Sequence, residues 1–141
     1  MISDTNILFE PADIEQFDWA NRVLLITEDE EVNYFYLKTL LKRTSARIIR
    51  AKNGQEAVDI ITTSQDHVDL ILMDINMPVM DGYEALKQIK SLHPDIPIIA
   101  QTAYTLTDDR HKCLKAGFTD YIAKPINRIA LLRLVDAILT N

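Results

Sequence analysis

From Arg22 onward the chain alternates between two hydrophobic periods. Continuous apolar runs occur at VLLIT (23–27), ARIIRA (46–51), VDLILMD (68–74), IPIIAQT (96–102) and FTDYIA (118–123). Each is short and bounded by polar or turn-forming residues, so each predicts a β-strand. The intervening stretches read as helices. In NYFYLKTLL, the side chains of Tyr36, Leu37, Leu40 and Leu41 share one face. NGQEAVDII begins with Asn53 and Glu56 at capping-box spacing, and DGYEALKQIK repeats the device with Asp81 and Glu84. TLTDDRHKCLKAG puts acids in its first turn and Gly117 just past its end, as the helix dipole and the left-handed C-terminal cap favour. NRIALLRLVDAIL supplies a strongly apolar fifth helix.

Strands that are apolar on both faces and alternate with helices belong in a parallel sheet covered on two sides. ARIIRA, flanked by arginines, is the best edge strand. Right-handed crossovers then predict an α/β fold: a doubly wound, flavodoxin-like, five-stranded parallel sheet of order 2-1-3-4-5 with five helices. This domain covers residues 22–141. Residues 1–21 have no Lys or Arg, no clear period and a proline at Pro11, and read as an N-terminal arm or linker. The apolar Ile7, Leu8, Phe9, Phe17 and Trp19 predict that some of this arm packs on a surface.

The stretch LILMDINMPVMDG (70–82) raises a physical question, because a run apolar enough to be buried ends on a carboxylate, Asp74. Desolvating that charge is costly unless something compensates it. In doubly wound sheets, ligands sit beyond the carboxyl ends of the strands. Those ends carry Glu28 and Asp29, Asp74, Thr102 and Lys124. Three carboxylates crowded together raise each other's pKa unless a hard cation binds them. Mg²⁺ (or Mn²⁺) suits such a site, taking carboxylates, a carbonyl, waters and a phosphate oxygen. Thr102 and Lys124 then offer a hydroxyl and a cation to the remaining oxygens of a phosphoryl group, with Asp74 as nucleophile.

Taken singly, these residues have plainer readings: helix caps, a turn hydroxyl, a solvated lysine. Their joint occurrence at four strand ends favours a site. His67, His93 and His111 lack ligand spacing and are read as inactive surface groups. Cys113 is read as a small, half-buried apolar residue of the fourth helix.

Bulk composition narrows the function further. A chain of 141 residues is enough for one domain with a real core. Its net charge is −6 and no basic stripe appears, which argues against nucleic-acid binding. No apolar run approaches a membrane span and the N-terminus lacks a basic signal-peptide region, so no membrane contact by this domain is expected. The lone cysteine excludes an internal disulfide framework and fits a reducing, cytoplasmic setting.

The segments LLITEDEEVN, LILMDINMPVMDGYEAL, IIAQTA and DYIAKPI, in this order and spacing, resemble the receiver domain of bacterial two-component response regulators. The resemblance spans roughly residues 22–139. It implies that Asp74 accepts a phosphoryl group from a phosphohistidine, so the expected partner is a histidine kinase or a histidine phosphotransfer domain. Asp29 would bind Mg²⁺ directly, Glu28 through water, and Asn76 through its backbone carbonyl. Thr102 and Lys124 would bind phosphate oxygens, and Tyr121 matches the aromatic switch position. Asn76 and Tyr104 fall where receivers tune phosphate lifetime, and Tyr104 is expected to slow hydrolysis. The family also suggests a cis bond between Lys124 and Pro125. Such a domain has no separate enzyme activity beyond its own phosphorylation and dephosphorylation.

EDEEVN and IIAQTAYT look most like receivers of hybrid sensor histidine kinases, and the chain stops just after the fifth helix. The expectation is therefore a receiver from the C-terminal end of a hybrid kinase, cytoplasmic or the cytoplasmic part of a membrane-bound sensor, with a stand-alone single-domain regulator as the alternative. Glu28, where the family more often has Asp, is a mild departure. A Mg²⁺-dependent phosphatase with an aspartate nucleophile would need a second acid two residues beyond Asp74, where this chain has Asn76. An FMN-binding protein of the same fold would want a Ser/Thr/Gly-rich phosphate loop where this chain has TEDEEVN.

Overall fold

The computed structural model describes residues 17–65, 67–103 and 107–141, with the backbone only for residues 107–109. Five strands, β1 (Val23–Thr27), β2 (Arg47–Ala51), β3 (Leu70–Asp74), β4 (Ile98–Thr102) and β5 (Asp120–Ala123), form one sheet of order β2-β1-β3-β4-β5. Every pairing is parallel. Among the described residues the helices are α1 (Glu31–Leu41), α2 (Gly54–Thr63), α3 (Gly82–Leu92), α4 (Thr107–Ala116) and α5 (Arg128–Leu139). The 3-10 turn Lys42–Thr44 extends α1. The expected fold and strand order are present, and the arginine-flanked strand is an edge.

Strand alternation divides the core in two. Leu24, Ile26, Leu70, Leu72, Ile99 and Ile122 pack against Leu37, Leu40 and Leu41 of α1 and Leu131, Leu132 and Val135 of α5. Leu25, Ile71, Met73, Ile98 and Ala100 face the opposite layer, where α2, α3 and α4 contribute Ala57, Leu86 and Cys113. Cys113 is fully buried rather than half-buried, and its Sγ lies 3.5 Å from the Tyr83 hydroxyl.

β1 coincides with its apolar run, but the other four strands begin later than the runs that announce them. Val68 and Phe118 are buried but precede the ladder. Polar side chains occupy ladder positions at these starts: Asp69 Oδ2 accepts the Val23 N–H at 2.8 Å, and Thr119 Oγ1 accepts the Ile98 N–H at 3.0 Å. Hydrophobicity marks burial, whereas pairing depends on which group takes each N–H.

Helix starts follow the sequence signals. Asn53, Asp81 and Asn127 each accept a backbone N–H three residues on, from Glu56, Glu84 and Ala130. Gly117, at φ +117°, ends α4 in a conformation that favours glycine.

Phe17 and Trp19, shortly before β1, pack onto the domain. Trp19 is 3% exposed, its N–H donates to Thr44 O at 2.7 Å, and its indole Nε1 donates to Asp136 Oδ1 at 2.9 Å. Phe17 stacks at an angle on its ring, 5.9 Å between centroids.

Candidate functional site

β1 and β3 deliver their last residues to the same sheet edge, and the loop after β5 brings a cation to them. Glu28 extends the β1–β2 pairing by one bond, its N–H donating to Ala51 O at 3.0 Å. Its side chain is fully buried, with Oε2 accepting the Glu30 N–H at 3.2 Å. Asp74 closes β3 at 4% exposure. Its Oδ1 accepts the Asn76 N–H at 3.1 Å, and its Oδ2 accepts from Lys124 Nζ at 3.1 Å. The same ammonium lies 3.4 Å from Glu28 Oε1. Asp29, half-buried, completes the group: Glu28, Asp29 and Asp74 each offer a carboxylate oxygen within 4.8 Å of the others.

The electrostatics of this cluster are strained. Burial, reinforced by the Asp74 charge, pushes the Glu28 carboxyl up to about 7, although the Glu30 N–H and Lys124 pull the other way. Burial alone would lower the Lys124 pKa, but Asp74 and Glu28 more than offset it and hold it above its ordinary value. One lysine therefore serves two buried carboxylates. An all-oxygen donor set with a surplus of negative charge fits a hard divalent cation such as Mg²⁺.

The other residues singled out from the sequence distribute around this centre. The Asn76 side chain is exposed, while its backbone N–H ties the β3–α3 loop to Asp74. Thr102, 1% exposed, ends β4 one residue beyond Gln101, the register partner of Asp74. Its carbonyl accepts the Lys124 N–H at 2.8 Å, which couples β4 to the lysine-bearing loop. Tyr121 stands opposite Ala100, two residues before Thr102, on the same face of the sheet, and is half-buried. The Lys124–Pro125 bond is cis. Tyr104 lies outside the described residues.

Two supports were not evident from the sequence. Arg50, read there as an edge-strand charge, donates Nη2 to Glu28 O at 3.1 Å and pairs with Glu31 at 2.7 Å. It also stacks on the Tyr34 ring at 4.5 Å, bracing the loop that carries Glu28 and Asp29. Gly82 abuts the backbone of Asp74: a Cβ there would meet Asp74 O at 2.6 Å and Ile75 Cα at 2.8 Å. A glycine beside a capping Asp81 was the visible signal, but it pointed to a helix start and not to a close approach.

The family model of the response regulator receiver domain matches residues 24–136. The chain belongs to this family. Among relatives of this receiver domain is hybrid signal transduction histidine kinase M of Dictyostelium discoideum, 37% identical over 123 residues. That alignment covers 84% of this chain but 5% of the kinase, so the chain spans a small fraction of that relative's length. Solved structures agree. The receiver domain of the sensor histidine kinase PA1611 from Pseudomonas aeruginosa, with a magnesium ion coordinated in its active-site cleft, is 35% identical at a TM-score of 0.77, covering 85% of this chain and 98% of that one. The receiver of the Saccharomyces cerevisiae regulator Ssk1, crystallised with the histidine phosphotransfer protein Ypd1, is 34% identical at a TM-score of 0.74, covering 81% and 86%.

Proposed function

We propose that Asp74 is the phosphoacceptor of a phosphorelay, taking its phosphoryl group from a phosphohistidine on a histidine kinase or a histidine phosphotransfer domain. The observation that carries this reading is the setting of Asp74: a buried carboxylate at a strand end, 3.1 Å from Lys124 Nζ and grouped with Glu28 and Asp29. An Asp74 carboxylate oxygen attacks phosphorus as the phosphorus–nitrogen bond to imidazole breaks, and the imidazole leaves. Lys124 balances charge on the phosphoryl oxygens, and the Thr102 hydroxyl supplies a further hydrogen bond. Glu28, Asp29, Asp74 and the Asn76 carbonyl would hold Mg²⁺, which when bound neutralises charge between acceptor and phosphoryl group.

Phosphorylation adds roughly −1.5 to −2 charges. Drawing Thr102 toward them frees space along the face it shares with Tyr121, the basis of a conformational switch. The same reading makes the protein a cytoplasmic relay component of a hybrid sensor kinase, with no separate enzyme activity. Its likeness to hybrid-kinase receivers supports that context. Asn76, two residues beyond Asp74, cannot act as the general acid that the aspartate-nucleophile phosphatase alternative requires.

The test is intact-mass spectrometry after incubation with acetyl phosphate and Mg²⁺. One phosphoryl adduct is expected, absent in Asp74→Asn and in chelator. An adduct that persists in Asp74→Asn would assign the acceptor elsewhere.

A further inference from the structure

Beside the acidic cluster, between the sheet and α1, lies a pocket of about 90 Å³, partly open to solvent, bordered by Glu28, Asn33, Tyr36, Gln101, Lys124 and Ile126. Gln101 is the unusual member. It sits in the middle of β3–β4–β5, paired in register with Asp74 on one side and Ile122 on the other. Alternation places it on the α1/α5 face with Ile99 rather than with Ala100. Its side chain is completely buried, and neither its amide oxygen nor its amide nitrogen has a hydrogen-bond partner among the described residues.

A buried amide with both ends unpaired is strongly unfavourable, and native proteins satisfy such groups with protein or with ordered water. The pocket has the volume for water. Each molecule needs roughly 10–15 Å³ of such space and two to four polar neighbours. Gln101, Glu28, Lys124 and Asn33 are the polar residues on the pocket wall that can supply them, beside the apolar Leu37 and Pro125, and the Tyr36 hydroxyl, which donates to Ile126 O at 2.8 Å, keeps its acceptor side available.

We propose that Gln101 anchors a cluster of ordered water molecules in this pocket, and that this cluster, running to Glu28 and Lys124, makes Gln101 a positioning residue for the acidic site. The cluster braces the two charged side chains so that they stay beside Asp74. This assignment rests on the phosphoacceptor reading only for the purpose of the positioning, not for the existence of the water site.

Two measurements on the whole chain test it. In the wild-type protein, the Gln101 side-chain amide protons should show nuclear Overhauser effects to long-lived water; their absence overturns the proposal without any variant. Gln101→Met, close in volume and without polar atoms, is expected to lose those waters and to melt no lower than wild type. Calorimetric titration of that variant should show Mg²⁺ binding weakened on the order of tenfold, the scale of losses when outer partners of metal ligands are removed. Gln101→Asn, which keeps an amide, should recover part of the affinity. Mg²⁺ affinity in Gln101→Met equal to wild type overturns the positioning role. Failure of wild-type protein to accept phosphate would instead count against the phosphoacceptor reading, since neither the water contacts nor the metal titration depends on it.

Discussion

Lys124 Nζ lies 3.1 Å from Asp74 Oδ2, and this contact spans two strands and fifty residues of sequence. The lysine is the nearest compensating cation for a carboxylate only 4% exposed, and it serves Glu28 as well. Removing one partner of a buried ion pair leaves the other charge uncompensated. Lys124→Met should therefore destabilise the metal-free protein by about 2–4 kcal/mol, and Mg²⁺ should restore a large part of that loss. Urea unfolding of wild type and variant, with chelator and with Mg²⁺, checks both halves. Equal losses in the two conditions would show that the metal and the lysine do not share the same charge.

Glu28 sets a pH dependence of opposite sign to that of an ordinary paired carboxylate. Its folded-state pKa is raised from 4.5 to about 7 by burial and the Asp74 charge. Between those values the folded protein binds more protons than the unfolded chain, so stability contributed by this group is present below about pH 4.5 and is lost as pH rises toward 7. Metal-free protein should accordingly unfold more easily at pH 7 than at pH 5.5. Glu28→Gln should flatten that slope, as measured by denaturant midpoints across the range.

Gly82 has no room for a methyl group, because the colliding atoms are the Asp74 carbonyl and Ile75 Cα. Backbone cannot rotate aside as a side chain can. Gly82→Ala is expected to cost about 1–3 kcal/mol, the usual range for overpacking, and to weaken Mg²⁺ binding by displacing the end of β3. Thermal unfolding and calorimetric titration of the variant test the pair of effects. Full Mg²⁺ affinity in a destabilised variant would separate the close approach from the site.

Val32, Phe35 and Tyr36 are 78%, 69% and 46% exposed on α1, the helix that begins just after Glu28 and Asp29. At spacings of three and four they form one apolar stripe beside the acidic cluster. If a phosphohistidine donor docks there, Phe35→Ala should slow transfer from a histidine phosphotransfer domain on the order of tenfold, the effect expected of a buried aromatic anchor. Phosphorylation by acetyl phosphate should be unchanged. Equal slowing with both donors would place the defect in the site and not at the stripe.

Much of this organisation is legible in the amino-acid order because burial and capping leave local signatures. The strand runs, the caps at Asn53 and Asp81, and the acids and lysine at strand ends all express requirements of a few adjacent residues. What resisted reading depends on distant atoms meeting. Arg50 and the Glu28 carbonyl are joined only once β2 pairs with β1, and Gly82 matters through the Asp74 backbone it touches. Gln101 did leave a trace, as an amide inside a strand whose other residues before Thr102 are apolar. Its meaning required the pocket beside it. Strand ends were blurred for a related reason, since Asp69 and Thr119 stand in for backbone at positions where hydrophobicity alone suggests continuation.

Trp19 is the only tryptophan in the chain, and it is held against α5 by Asp136, at the edge of the sheet where the strands begin. The carboxylates occupy the edge where they end. Intrinsic fluorescence of this protein therefore has a built-in separation between reporter and chemistry. Any change in emission on adding Mg²⁺ or a phosphodonor would signal a rearrangement carried through the sheet or α5, and not quenching by an ion beside the indole.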